Sequence, residues 1–206
     1  MQTVLITGAN RGIGLAFARY YYQLNCNVIG VCRHSNEKLD ACAHAVIDGV
    51  DLQSDDAIKL LCEALADRPI DLLISNAGIL KDEQLDSLDL VSIEKQFQVN
   101  AIGPLRLVSA LQANLSAGSK IALITSRMGS IEDNTSGGRY GYRMSKAALN
   151  AAGKSMANDL KGRGVAVAIL HPGLVSTAMI NFNGQVSPED AAAQLAERIE
   201  ALNLKN

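Results

Sequence analysis

Short apolar runs alternate with amphipathic stretches along almost the whole chain, and this alternation limits the folds open to it. The runs cover residues 4–6, 28–31, 45–47, 72–74, 121–124 and 165–170. Helices are predicted after them near residues 12–24, 36–44, 55–66, 91–115 and 142–161, with a last helix that begins after Ser187. Strands that are apolar on both faces are typical of a parallel sheet covered by helices on each side. Since such crossovers are right-handed, the pattern predicts a doubly wound, Rossmann-like α/β sheet in a single domain over residues 1–206, with its ligand at the carboxyl ends of the strands.

Charge and cysteine content exclude several classes of function. The 206 residues carry 19 basic and 21 acidic side chains without a basic run, which argues against nucleic acid or an anionic membrane surface as partner. The apolar runs are of strand length, and the N-terminus enters a predicted strand without a secretory leader, so we expect a cytoplasmic protein. No metal site is predicted, because the four cysteines form no Cys-x-x-Cys pair and are expected to be reduced thiols. They are Cys26, Cys32, Cys42 and Cys62.

A glycine-rich turn joins the first predicted strand to the first predicted helix. Gly8, Gly12 and Gly14 are spaced G-x-x-x-G-x-G, and Asn10 and Ile13 lie between them. A helix N-terminus presents unpaired amides and partial positive charge, and glycines let a ligand approach the backbone closely. The turn therefore predicts a site for the pyrophosphate of a dinucleotide, with a merely structural turn as the alternative.

The end of the second predicted strand indicates which dinucleotide is bound. An NAD enzyme commonly has an acidic residue there to bind the ribose 2′-hydroxyl, whereas this chain has Arg33 and no acid before Glu37. Arg11, within the glycine turn, adds a second guanidinium, and two such groups suit a 2′-phosphate. The prediction is therefore NADP(H), and solvated surface arginines are the alternative. Asp51 and Leu52, after the third strand, are expected beside the adenine, although Asp51 is equally suited to cap a helix.

Tyr142 and Lys146 share one helix face, since they are four residues apart. A phenol normally titrates near 10, and a neighbouring ammonium favours its ionised form. Tyr142 is then able to give a proton to a carbonyl oxygen or take one from an alcohol. Tyr140 has Met144 at the corresponding position and is not suited to this role. The pair predicts hydride transfer between a nicotinamide and a carbonyl or alcohol.

Two polar residues are candidates to complete this site. Ser126 follows the fifth predicted strand, where its hydroxyl would orient the substrate oxygen. Asn100 interrupts an otherwise apolar helix, and a buried amide needs hydrogen-bond partners. It is a candidate to hold a water molecule that links Lys146 to solvent. Either residue alone is more typical of a structural role, and it is their order and placement that favour catalysis.

These motifs, in this order, give the chain a resemblance to the short-chain dehydrogenase/reductase family over nearly its whole length. Within that family it looks like the C-factor/sniffer carbonyl-reductase-like subgroup. The resemblance is carried by the glycine turn, by Ser75-Asn76-Ala77-Gly78, Asn100, Ser126, the Tyr142/Lys146 pair, and Pro172-Gly173-Leu174-Val175-Ser176-Thr177.

The resemblance implies roles for individual residues. The implied catalytic tetrad is Asn100, Ser126, Tyr142 and Lys146, with Lys146 also binding the nicotinamide ribose. The implied cofactor contacts include Asn76, Ala77 and Gly78 along the dinucleotide, and Pro172, Gly173, Val175 and Thr177 in a loop over the carboxamide. It also implies a homodimer or homotetramer that pairs through the helices near residues 91–115 and 142–161, although the alanines there suit packing on the sheet equally well.

Three departures from the family pattern carry expectations of their own. Ser75 stands where the family usually has asparagine, which should perturb hydrogen bonding of the sheet rather than the chemistry. A seventh strand, usual in the family, is not expected, so either the sixth strand is an exposed edge covered by a partner or the chain is a shortened one. The lid segment, residues 178–186, is short and predicts an open, poorly selective site.

The leading function is an NADP(H)-dependent carbonyl reductase or alcohol dehydrogenase. The alternatives are a non-catalytic NADP(H)-binding signalling or sensor protein and a structural dimerisation module, and the intact tetrad favours the enzyme.

Overall fold

The six apolar runs form one parallel sheet, in the order β3-β2-β1-β4-β5-β6. The structure is a computed structural model that describes residues 1–205. The strands are β1 (Thr3–Thr7), β2 (Asn27–Val31), β3 (Ala45–Ile47), β4 (Leu72–Ser75), β5 (Lys120–Ile124) and β6 (Ala166–Leu170). Every neighbouring pair is parallel. The strand order reverses beside β1, so the carboxyl ends of β1 and β4 border the crevice in which such sheets bind ligands. The predicted doubly wound fold is confirmed, with six strands rather than seven in the described residues 1–205.

Helices cover both faces of the sheet. They are α1 (Gly12–Gln23), α2 (Glu37–Asp40), α3 (Asp55–Leu65), α4 (Leu90–Phe97), α5 (Gly103–Ala110), α6 (Tyr140–Lys161) and α7 (Pro188–Ala201). Side chains alternate across a strand. Accordingly Val4 of β1 packs in one core with α1 and α7, whereas Leu5 packs in the other with α3, α5 and α6. The sheet is thus the middle of three layers, as the doubly apolar strands predict.

The prediction of one continuous helix over residues 91–115 is wrong. A π-helix, Gln98–Ile102, separates α4 from α5. Pro104 has no amide hydrogen and cannot donate to the carbonyl of Asn100, as a continuous α-helix requires. The amide of Gly103 instead donates to Gln98, five residues back. Asn100 lies in the middle of this π-helix and is fully buried.

Other helix boundaries agree more closely with the sequence. The last helix begins as predicted, since Ser187 Oγ accepts from the amide of Asp190 at 3.0 Å and Pro188 opens the first turn. The helix predicted at 36–44 is shorter and covers only α2. Within residues 1–205, no helix is long and apolar enough to cross a membrane.

Ser75 pairs with the neighbouring strand, but the oxygen of its hydroxyl group makes no hydrogen bond in the part of the chain that the structure describes. It pairs in register with Leu123, so the backbone ladder continues through it. Its hydroxyl is buried and has no hydrogen-bond partner within the described residues. The expected perturbation of hydrogen bonding in the sheet is therefore wrong for the backbone ladder, and it is the Ser75 side chain that lacks a partner.

Candidate active site

The glycine turn forms the amino end of α1, at the carboxyl end of β1. Gly8 and Gly12 have φ values of 66° and 53°, which side-chain-bearing residues rarely adopt. A Cβ on Gly14 would lie 2.1 Å from the carbonyl oxygen of Gly8. All three glycines are therefore required by the backbone, and the first amides of α1 have no partner within that helix.

The segment after β4 is fixed to this turn by Thr7, a residue that the sequence did not single out. Thr7 Oγ1 accepts from the amides of Asn76 and Ala77, both at 3.1 Å, and Asn76 Nδ2 donates to the carbonyl of Thr7 at 3.1 Å. A Cβ on Gly8 would lie 3.0 Å from Cα of Ala77. The two loops thus border one crevice. The position of Thr7, as the last residue before the glycine turn, is the only signal in the sequence for this role.

Two arginines stand at the end of the crevice near β2. Arg11 and Arg33 are exposed, and neither forms a salt bridge within the described part of the chain. The loop that carries Arg33 is tied to the glycine turn, because Asn10 Nδ2 donates to the carbonyl of His34 at 2.9 Å. The positions of the two arginines suit an anionic group.

Asp51 does not cap a helix, and this removes one of the two interpretations of that residue. Ser54 caps α3 by accepting from Ala57 N at 3.2 Å. Burial favours the neutral form of Asp51, but hydrogen bonds from Gln53 and the charge of Arg33 outweigh it and hold the pKa of the carboxyl below its usual value. A carboxylate therefore stands at this end of the crevice. Leu52 beside it is buried.

Lys146 is buried in α6 with its charge directed at the sheet. Its side chain is 4% exposed, and Nζ donates to the carbonyl oxygen of Ile124, at the end of β5, at 2.8 Å. Nζ also lies 5.7 Å from the centre of the Tyr142 ring. Burial lowers the pKa of Lys146 to about 8. This ammonium is consequently close to its titration range at physiological pH.

The Tyr142 side chain is buried, and burial favours the protonated phenol. Burial raises the pKa of Tyr142, while the nearby Ser126 hydroxyl and the charge of Arg139 oppose that rise. The sequence predicts that the Lys146 ammonium favours the ionised phenol, whereas burial raises the pKa. A phenol that keeps its proton at neutral pH is suited to donate it to a carbonyl oxygen.

Asn100 uses its side chain to join two segments. Oδ1 accepts from the amide of Ile79 at 2.9 Å, while Nδ2 donates to the carbonyl of Ile79 at 2.8 Å and to Ser145 Oγ at 3.0 Å. Ser145 in turn donates to the carbonyl of Tyr142 at 2.9 Å. Both amide hydrogens are therefore occupied, so a relay water would depend on the second lone pair of Oδ1. A Cβ on Gly78 would lie 3.2 Å from Asn100 Oδ1 and 3.8 Å from Lys146 Nζ, so both groups face the cofactor loop.

The loop after β6 lies over the glycine turn. A Cβ on Gly12 would lie 3.3 Å from Cγ2 of Thr177. Gly173 has a φ of 82°, and buried Val175 bridges to Val186. This bridge closes the lid segment into a short loop. Within residues 1–205, no group of His, Cys, Asp or Glu side chains converges to hold a metal ion.

A family model described as short chain dehydrogenase matches residues 2–186. The chain belongs to this family. Among short chain dehydrogenases it is similar to 1-hydroxy-2-glutathionyl-2-methyl-3-butene dehydrogenase of Rhodococcus sp. (strain AD45). The two are 38% identical over 208 residues, an alignment that covers 98% of this chain and 92% of the relative.

Solved short chain dehydrogenases agree with the fold. A carbonyl reductase from Pseudomonas aeruginosa PAO1 in complex with NADP is 34% identical with a TM-score of 0.87, and the alignment covers 100% of this chain and 94% of that one. Carbonyl reductase Sniffer of D. melanogaster is 29% identical with a TM-score of 0.84 and the same coverage. The short chain dehydrogenase family and its carbonyl-reductase-like subgroup, which the motifs indicated, are thus confirmed. The site residues themselves remain predictions that the geometry supports.

Proposed function

We propose that the protein is an NADP(H)-dependent carbonyl reductase, able to run in reverse as an alcohol dehydrogenase, with Tyr142 as the general acid. One observation carries the proposal. The buried Lys146 ammonium lies 5.7 Å from the centre of the Tyr142 ring and donates to the carbonyl of Ile124, two residues before Ser126, at the same edge of the sheet as the glycine turn. These are the groups needed to bind and protonate a carbonyl oxygen next to a bound dinucleotide.

Residues along the whole crevice would suit contacts with NADP(H). The amides of the glycine turn would bind the pyrophosphate, and Arg11 and Arg33 the 2′-phosphate, with Asp51 and Leu52 beside the adenine. Asn76, Ala77 and Gly78 would lie along the dinucleotide, Lys146 would bind the nicotinamide ribose, and the loop with Pro172, Gly173, Val175 and Thr177 would lie over the carboxamide. The NADP-bound carbonyl reductase of similar fold supports this assignment. When bound, NADPH supplies the hydride.

The chain's own residues then manage the substrate oxygen and its proton. Ser126 holds the carbonyl oxygen, and the Tyr142 hydroxyl donates a proton to it. Lys146 stabilises the phenolate that remains, because an ammonium favours a nearby anion. Asn100 fixes Ile79 and, through Ser145, the backbone of Tyr142. The short lid suits small or hydrophobic carbonyl compounds. We further propose a cytoplasmic homodimer or homotetramer.

The test compares two tyrosine variants on one helix. The wild type should oxidise NADPH with some members of a panel of aldehydes and diketones. Y142F should lower kcat by about 10³-fold while NADPH still binds, as measured by fluorescence titration. Y140F is the matched control, because it removes a hydroxyl from the same helical turn, and it should retain activity. If NADPH binds and no panel member is reduced, the sensor function replaces this proposal.

A further inference from the structure

A buried carboxylate that the proposed chemistry does not use lies against the start of α6. Glu83 is 3% exposed although it belongs to the polar segment after β4. Its Oε2 accepts from the amide of Gly141 at 3.3 Å, and its backbone carbonyl accepts from the amide of Arg139 at 2.8 Å. Glu83 therefore contacts the chain just before Tyr142 at two points.

Helix α6 depends on this outside acceptor. Arg139, at its N-cap, has a φ of 53° and makes no capping hydrogen bond with its side chain in the described structure. The first amides of a helix have no partner within the helix, and a carboxylate stabilises that end. Glu83 thus supplies from another segment the cap that the residues before α6 lack.

Gln96 of α4 fixes the orientation of this carboxylate. Its side chain is fully buried, and Nε2 donates to Glu83 Oε1, which also accepts from Ser92 Oγ at 3.1 Å. Gln96 Oε1 accepts from the amide of Lys81 at 2.9 Å. A Cβ on Gly141 would lie 2.5 Å from Gln96 Nε2, so the helix start is packed closely against this pair.

Gln96 and Asn100 are four residues apart, and their hydrogen bonds reach the chain on either side of Tyr142 in the sequence. Gln96 acts through Glu83 on Gly141, while Asn100 acts through Ser145 on the Tyr142 carbonyl. We propose that Glu83, oriented by Gln96, is a positioning residue that keeps the Tyr142 phenol aimed at the reacting oxygen. This inference rests on the proposed function of Tyr142.

An exchange of the Glu83 and Gln96 side chains tests their hydrogen-bonded pair while it keeps one carboxylate and one amide in place. In E83Q, either Gly141 or Gln96 meets an amide group where it needs an acceptor, so a donor faces a donor. In the double variant E83Q/Q96E, the new glutamine can accept from Gly141 and donate to the new glutamate, which accepts from the Lys81 amide. E94Q removes a carboxylate from the exposed side of the same helix α4 and is the matched control.

E83Q should lower kcat by about tenfold to a hundredfold, because small misplacements of a reacting group are costly. NADPH affinity should stay within about twofold, E94Q should match the wild type, and the double variant should recover most of kcat. A kcat of E83Q within about twofold of the wild type would overturn the proposal. So would a folded double variant that binds NADPH and remains as slow as E83Q.

Amide hydrogen exchange on the wild type gives a test that needs no variant to fold. The Gly141 amide should be protected although it lies in the first turn of α6, and rapid exchange would contradict the inferred cap. These failures differ from a failure of the proposed function. If the proposed function is wrong, the wild type itself reduces no carbonyl compound. If only the positioning role of Glu83 is wrong, the wild type is active and E83Q is equally active.

Discussion

The Nζ atom of Lys146 donates to the carbonyl oxygen of Ile124 at 2.8 Å and is almost completely buried. Burial lowers the pKa of this amine from 10.5 to about 8. Between these two values the unfolded chain binds more protons than the folded one, so the free energy of unfolding rises with pH. We expect wild type to gain stability relative to K146M between about pH 8 and pH 10.5.

Urea unfolding at several pH values measures this difference. K154M removes an exposed lysine from the same helix and should leave the pH dependence unchanged. If the stability curves of wild type and K146M run parallel across that range, then burial does not lower the pKa of Lys146, and the prediction is wrong.

Arg33 should discriminate between the two nicotinamide dinucleotides. A guanidinium that binds the 2′-phosphate contributes about 1.5–3 kcal/mol, so R33A should weaken NADPH binding about tenfold to a hundredfold. NADH has no 2′-phosphate, and its affinity should hardly change. Dissociation constants for both cofactors, measured by fluorescence titration, check this. R68A removes an exposed arginine elsewhere and should affect neither, and an equal loss for NADPH and NADH in R33A would contradict the assignment.

Gly14 should tolerate no side chain. A Cβ there would lie 2.1 Å from the Gly8 carbonyl oxygen and 2.6 Å from Asn76 Nδ2. We expect G14A to destabilise the protein by about 1–3 kcal/mol or more, because the backbone must shift to relieve the overlap, and to weaken NADPH binding. G162A is the control, since a Cβ on Gly162 meets nothing within 4 Å. Thermal unfolding of the two variants measures the difference, and similar melting temperatures would be inconsistent with a rigid turn.

Local patterns in the sequence account for much of the fold and part of the site. The alternation of apolar runs with amphipathic stretches predicts the sheet, because strands that are apolar on both faces need helices on each side of the sheet. The glycine turn and the Tyr142/Lys146 pair also follow from neighbours close in the chain. Glu83 does not, because its segment carries the mixed charges of a surface loop and only tertiary packing buries it. Thr7 is missed for the same reason, since its partners are about seventy residues away.

The π-helix around Asn100 makes the length of this helical segment part of the proposed catalytic site. It contains one residue more than a regular helix needs over that turn, and the surplus turns the asparagine toward Ile79 and Ser145. A deletion of one residue between 98 and 102 would give a more regular backbone and a misdirected amide. A sequence alignment that places a regular helix opposite this segment would consequently equate residues with different orientations. On the proposed role of Asn100, we expect engineering that makes the helix regular to lower turnover.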